Sequence, residues 1–140
     1  MRDWDAICAE VRAEFAAIPK DEPDLSRRRC RDAIFGFRVL PVADLFYGSE
    51  RASPEWRFVN NRGVTDTMHA IRDDIQANGM RNPLLVMHEI VDYAHKYRVK
   101  VGNQRLWALR ELGIEEASCV VIDRAEVVTA LMERYEEVMV

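Results

Sequence analysis

The chain has 140 residues, enough for one domain with a sizeable core and too few for two typical domains. Apolar residues make up 49% and charged residues 31%, a globular balance that excludes an intrinsically disordered chain. The formal net charge is −4, so overall charge does not favour a nucleic-acid-binding protein, although 17 of the 20 basic residues are arginine. The sequence has no signal-peptide pattern and no apolar run of membrane-spanning length, and its three cysteines share no metal or redox spacing. We therefore expect a cytoplasmic protein with reduced thiols and no membrane partner.

The first part of the chain has helical periodicity. Apolar residues recur at helical spacing over 4–18, and Asp3 is placed to cap this helix. Residues 26–34 indicate a second, shorter helix. We therefore expect residues 1–34 to form an N-terminal helical extension of a domain that spans 35–140.

The rest of the chain alternates between strand and helix patterns. Strands are predicted at 38–42, 83–86, 97–101 and 117–122. Helices are predicted from a cap at Thr65 or Asp66 to Asn78-Gly79, over 103–112, and from a cap at Asp123 towards the C-terminus, with Ile71, Ile75, Leu131 and Tyr135 facing the core. A polar loop occupies 47–63. This order predicts an α+β fold, a small mixed β-sheet with packed helices.

The segment with most chemical information is the strand-to-helix turn at Gly102. A glycine permits a tight turn, and the first backbone N–H groups of the following helix lack internal acceptors, which favours an anion there. Arg105 lies one turn into the helix, where a guanidinium can fork onto phosphate oxygens. Asn103 and Gln104 can donate to or accept from a ribose, base or phosphate. The same pattern also fits an ordinary structural turn with a surface arginine, and both interpretations stay open.

A family resemblance bears on this choice. Gly102-x-x-Arg105-x-x-Ala108 resembles the G-x-x-R-x-x-A signature of ParB-like domains. Three further segments resemble ParB in the same order: Leu40–Leu45, Asn78–Val86 and Leu112–Ile122. The resemblance covers residues 38–124 and implies a ParB/sulfiredoxin-like fold. In that superfamily the Gly-x-x-Arg loop holds nucleotide phosphates: cytidine triphosphate in ParB, adenine nucleotides in sulfiredoxin and in a free serine kinase.

The resemblance implies a nucleotide-binding module and a set of site residues. The implied ligand is a nucleoside triphosphate, with Mg²⁺ as an optional companion. The expected nucleotide contacts are Gly102, Asn103, Gln104, Arg105, Arg98, Lys100, Asn82 and Pro83. Glu133 lies in a segment similar to the ParB helix that completes the triphosphate and magnesium site, and it is the candidate catalytic residue for any hydrolysis.

The sequence also departs from the family. Asn103 occupies the position of the sulfiredoxin cysteine nucleophile, which excludes sulfiredoxin chemistry. Val101 stands where kinase-like members carry an acidic residue, so phosphoryl transfer lacks its expected carboxylate. ParB would continue past Val140 into a helix-turn-helix domain, so we do not expect ParB-like sequence-specific DNA binding.

Two other functions remain open. The first is a nuclease or nucleic-acid-binding protein, whose contacts would come from Arg27, Arg28, Arg29, Arg31, Arg51, Trp56, Arg57 and Arg62. The second is a non-catalytic interaction domain with a homodimer or protein partner at its apolar C-terminal helix. A metal site is a weaker candidate, at a predicted polar hairpin loop that holds His88, Glu89, Asp92 and His95.

Overall fold

The computed structural model describes residues 2–49 and 64–139. In that part of the chain the helices are α1 (Trp4–Ala16), α2 (Leu25–Arg31), α3 (Val64–Asn78), α4 (Asn103–Glu111) and α5 (Val127–Met139). The strands are β1 (Phe35–Pro41), β2 (Leu45–Phe46), β3 (Leu84–Val91), β4 (Ala94–Val101) and β5 (Glu116–Ile122), with a 3-10 turn at Val42–Asp44. None of these helices has the length and apolar character needed to cross a bilayer.

The five strands form one mixed sheet in the order β1-β5-β3-β4-β2. Strand β5 pairs antiparallel with β1 and parallel with β3. Strand β4 pairs antiparallel with β3 and parallel with the short β2. The α+β prediction of a small mixed sheet with packed helices is therefore confirmed.

Both faces of the sheet are covered, because successive side chains of the central strands point to opposite faces and are apolar on both. Leu84 and Val86 pack under α3 and α4, where Met68 and Leu106 are fully buried. The other face packs against α1 and α5. Its buried residues include Leu85, Val120, Ile122, Trp4 and Leu131.

Local sequence signals place two helix ends correctly. The Asp3 side chain accepts a hydrogen bond from the Ala6 N–H at 3.1 Å, which confirms the predicted cap of α1. Helix α3 ends at Asn78, and Gly79 follows with a φ of 72°, as the Asn-Gly pair predicts.

Two other predicted caps are wrong. Thr65 and Asp66 both lie inside α3, which already includes Val64. Helix α5 begins four residues after Asp123, whose carboxylate instead accepts a hydrogen bond from the Ile34 N–H at 2.9 Å. The carboxylate therefore joins the end of β5 to the start of β1.

The loop predicted around His88 and His95 is a tight hairpin. Strands β3 and β4 extend to Val91 and Ala94, so only Asp92 and Tyr93 form the turn, both with positive φ (49° and 64°). The two histidines consequently lie in strands. Within residues 2–49 and 64–139, no group of three or more His, Cys, Asp or Glu side chains is arranged to hold a metal ion.

The arginine run of the N-terminal region lies on α2, which is shorter than predicted because β1 starts at Phe35. Arg27 pairs with Glu22 at 2.8 Å and Arg31 with Asp32 at 3.2 Å, while Arg29 pairs with Glu126. These are exposed ion pairs, typical of a solvated helix face.

The proposed boundary at residue 34 stays a prediction.

Candidate functional site

The turn between β4 and α4 requires a glycine. Gly102 has φ 110° and ψ 25°, and a Cβ there would lie 2.4 Å from Leu84 Cδ2 and 2.8 Å from Arg105 Nη2. The first helical hydrogen bond runs from the Leu106 N–H to the Gly102 carbonyl at 2.9 Å. Gly102 offers no side-chain cap, so the N–H groups of residues 103–105 have no acceptor within their own helix.

The same residues line a pocket of about 700 Å³ between α3, the start of α4, and α5. Its polar end is formed by Gly102, Asn103, Gln104 and Arg105, together with Arg81 and Asn82. The remaining walls are mainly apolar, with Asp74 as the one carboxylate among the described lining residues. The apolar residues are Ala70, Ile71, Ile75, Met80, Val101, Met132 and Tyr135, and Thr67 and Gly79 complete the lining.

Asn82 is the unusual polar residue of this pocket. The residue is only 6% exposed, and within the described part of the chain its Oδ1 has no hydrogen-bond partner. Burying an amide without a partner costs about 1–3 kcal/mol. Tyr135, which is also buried, lines the same pocket. A ligand group that donates a hydrogen bond to the Asn82 amide oxygen would remove this cost.

Arg105 links the turn to the loop that carries Asn82. Its Nη1 donates to the Asn82 carbonyl at 2.5 Å and its Nη2 to the Pro83 carbonyl at 3.4 Å. Its guanidinium carbon lies 5.8 Å from the centre of the Tyr135 ring. Burial raises the pKa of Tyr135, and the charge of Arg105 opposes that rise. The arginine therefore positions the pocket wall and adds positive charge to it.

The side chain of Asn103 has a structural task. Its Oδ1 accepts from the Gly48 N–H at 2.9 Å, and its Nδ2 donates to the Val99 carbonyl at 3.3 Å. Both the oxygen and the nitrogen of the side-chain amide therefore have protein partners. The group of Asn103 that remains for a ligand is its backbone N–H. Gln104 lines the pocket one residue further on.

Four predicted site residues are not brought to this pocket. Pro83 contributes only the carbonyl that Arg105 binds, while Lys100 and Glu133 are exposed outside the lining. Arg98 pairs with Glu89 at 2.8 Å, and this hydrogen-bonded pairing lowers the pKa of the carboxylate and raises that of the guanidinium.

Arg98 is engaged on its other side as well. It donates to the Gly48 carbonyl at 3.1 Å, and its guanidinium carbon lies 4.4 Å from the centre of the Phe46 ring. Arg51, Trp56, Arg57 and Arg62, named above for a nucleic-acid surface, lie outside the described residues.

Sequence reasoning missed the walls of the pocket. The prediction that Ile75 and Tyr135 face the core is confirmed, and Ile71 packs against the same core, but all three also line the pocket. Met80 and Met132 carried no expectation. An apolar helix face has the same sequence pattern whether it packs against a core or borders a cavity. Only the spacing between α3 and α5 in the folded chain separates these two cases.

Comparison with solved structures identifies the fold. The C-terminally truncated chromosome-partitioning protein ParB from Caulobacter crescentus, complexed with CTP-γ-S, is similar with a TM-score of 0.53 and 19% identity, over 72% of this chain and 53% of that one. Sulfiredoxin from Arabidopsis thaliana is similar with a TM-score of 0.45 and 23% identity, over 63% of this chain and 85% of that one. A pNOB8-like ParB N-domain has a TM-score of 0.47 and 14% identity, over 76% of this chain and 36% of that one.

The chain has the ParB/sulfiredoxin-like fold, as its sequence motifs suggested. It spans about half the length of the ParB chain that it matches. No protein-family model matches the sequence, and no curated protein matches it either. A shared fold does not by itself carry an activity from one protein to another.

Proposed function

We propose that the pocket beside Gly102 binds a nucleoside triphosphate. The proposal rests on one observation: two groups that lack hydrogen-bond partners among the described residues lie at the same pocket. One is the uncapped N-terminus of α4, and the other is the buried Asn82 amide. An anion at the helix start and a hydrogen bond to the amide would remove both deficits.

The dimensions and lining support a ligand larger than a phosphate ion. A volume of about 700 Å³ lies within the range of small-molecule and cofactor sites. The phosphates would contact the N–H groups of residues 103–105, with the Arg105 charge beside them. The nucleoside would lie against the apolar walls of α3 and α5. The CTP-γ-S bound to the similar ParB is consistent with this class of ligand.

The proposal concerns binding and not turnover. Asp74 already accepts hydrogen bonds from Asn78 at 2.9 Å and from Arg81 at 3.1 Å. A Mg²⁺ ion would therefore depend mainly on the phosphates of the nucleotide for its ligands. Glu133, exposed outside the lining, has no contact here that would support a catalytic role.

Charge at the helix start provides the sharpest test. Gln104→Glu places a carboxylate where the helix dipole tolerates it, so the fold should persist while phosphate is repelled. Gln76→Glu is the control, because it makes the same chemical change at an exposed residue of α3 that does not line the pocket. Calorimetry with CTP, ATP, GTP and UTP, each with and without Mg²⁺, should show at least about tenfold weaker binding in Gln104→Glu only.

Two results would contradict the proposal. The first is wild-type protein that no nucleotide binds or stabilises against heat. The second is equal affinity in Gln104→Glu and Gln76→Glu, which would place the nucleotide elsewhere on the molecule.

A further inference from the structure

A second groove crosses strands β1, β5, β3 and β4, and no residue lines both it and the first pocket. Its volume is about 670 Å³. The residues that line it are Ile34, Phe35, Gly36, Arg38, His88, His95, Tyr97, Val121, Ile122 and Asp123. Cationic and hydrogen-bonding side chains therefore share this groove with an exposed isoleucine.

Arg38 supplies an uncompensated positive charge. It is exposed, and within residues 2–49 and 64–139 it has no ion pair or hydrogen bond, although its guanidinium carbon lies 5.9 Å from the centre of the Tyr97 ring. Asp123, the acidic residue of the lining, already has two protein partners. Its Oδ1 accepts from the Ile34 N–H, and its Oδ2 lies 3.6 Å from Arg124 Nε.

His88 and His95, which both line the groove, supply a hydrogen-bond donor. Their rings are 17° from parallel with centroids 4.9 Å apart, yet His88 Nε2 lies 2.7 Å from His95 Nδ1. The rings therefore meet edge to edge, with one N–H between them. In a neutral pair the ring that accepts this hydrogen bond carries its own proton on the outer nitrogen, so one N–H remains for a ligand.

We infer that this groove binds the phosphate group of a phosphorylated ligand. A guanidinium forks onto phosphate oxygens, and the imidazole N–H donates to another oxygen. Ile34, which is 76% exposed, and Val121 would contact the body that carries the phosphate. The inference does not depend on the nucleotide site, because the two sites use different residues.

Inorganic phosphate is the probe, added at constant ionic strength while the side-chain resonances of His88, His95 and Tyr97 are followed by NMR. We expect saturable shifts in the wild type and at least about tenfold weaker binding in Arg38→Gln. Arg28→Gln is the matched control, since Arg28 is also exposed and unpaired among the described residues but lies on α2. It should bind like the wild type.

Two further titrations distinguish this site from other anion-binding sites on the protein. Phosphate is also expected at the start of α4, so the titration is repeated in Gln104→Glu, where the histidine shifts should persist. Acetate should bind more weakly than phosphate, because it carries less charge. Linear shifts that Arg38→Gln leaves unchanged, loss of the shifts in Gln104→Glu, or tighter binding of acetate would each overturn the inference.

Discussion

Gly102 shows how one residue shapes the proposed nucleotide site. Its left-handed conformation turns the chain from β4 into α4, and its missing side chain leaves room for Leu84 and Arg105. Gly113, which follows α4, also has a positive φ (66°), but a Cβ there would meet no atom within 4 Å. A side chain at Gly102 would therefore cause both backbone strain and steric overlap, whereas a side chain at Gly113 would cause backbone strain alone.

We predict that Gly102→Ala lowers the free energy of unfolding by about 3 kcal/mol, from strain and overlap together. Gly113→Ala carries strain alone and should lower it by about 1 kcal/mol. Urea denaturation of both variants measures the difference. Equal losses would mean that Leu84 and Arg105 move aside freely and that the turn tolerates a side chain.

The three cysteines differ in burial and therefore in reactivity. Burial raises the pKa of Cys8 to about 11 and that of Cys119 to about 12, while the half-buried Cys30 has a smaller rise from burial and from Glu126. Because only the thiolate reacts, a raised pKa slows modification at neutral pH. The expected reduced, buried thiols at Cys8 and Cys119 are confirmed as free and buried.

We predict that iodoacetamide modifies Cys30 first in the folded protein, at a rate that rises with pH as its thiolate forms. Cys8 and Cys119 should react only after denaturation. Peptide mass spectrometry over a pH series gives the order of modification. Early modification of Cys119 would show that the sheet opens more readily than its packing indicates.

At the scale of the element, the β3–β4 hairpin depends on an unfavourable turn. Asp92 and Tyr93 both adopt positive φ, and Tyr93 is fully exposed, so its side chain offers no packing in return. Two-residue hairpin turns with two positive φ values prefer Asn-Gly. The hairpin holds its register through the strands, where His88 lies opposite Tyr97 and Ile90 opposite His95.

Replacing Asp92-Tyr93 by Asn-Gly should raise the free energy of unfolding by about 1 kcal/mol, because the strain of two left-handed residues falls. Tyr93→Ala removes the ring but keeps a Cβ, so it should bring little gain. Chemical denaturation compares the two variants. An equal gain from Tyr93→Ala would assign the effect to the exposed ring instead of the backbone.

At the scale of the whole molecule, the N-terminal helices bear on the predicted division at residue 34. Helix α1 buries Trp4 beside Tyr135 of α5, with ring centroids 5.1 Å apart. It also covers the sheet face that contains Leu85 and Val120. Removing this helix would expose a large apolar surface to water.

We therefore predict that a chain limited to residues 35–140 does not fold stably by itself. The proton NMR spectrum of that chain, compared with the full chain, is the measurement. Narrow signal dispersion is expected for the shorter chain. Wide dispersion with cooperative thermal unfolding would instead show that residues 1–34 are a dispensable extension.

Several features were determined by the sequence alone, because the interactions behind them are local. The Asp3 cap and the Asn78-Gly79 helix end depend on neighbours within four residues. The approximate places of β1, β3, β4 and β5 follow from short runs of apolar residues, whereas the short β2 and the full lengths of β3 and β4 were not predicted. The Gly102 turn belongs to the same group, since its φ preference is a property of the residue itself.

Tertiary structure decided which partner each polar side chain takes. Asp123 could cap its own helix but binds the Ile34 N–H, which is 89 positions away in the chain. Arg98, expected at the phosphate site, pairs with Glu89 because antiparallel pairing of β3 with β4 brings them together. The buried amide of Asn82 and the pocket walls likewise depend on how α3, α4 and α5 pack. Such contacts join segments that are distant in the chain. Local sequence patterns do not predict them, because periodicity and φ preference describe only a few neighbouring residues.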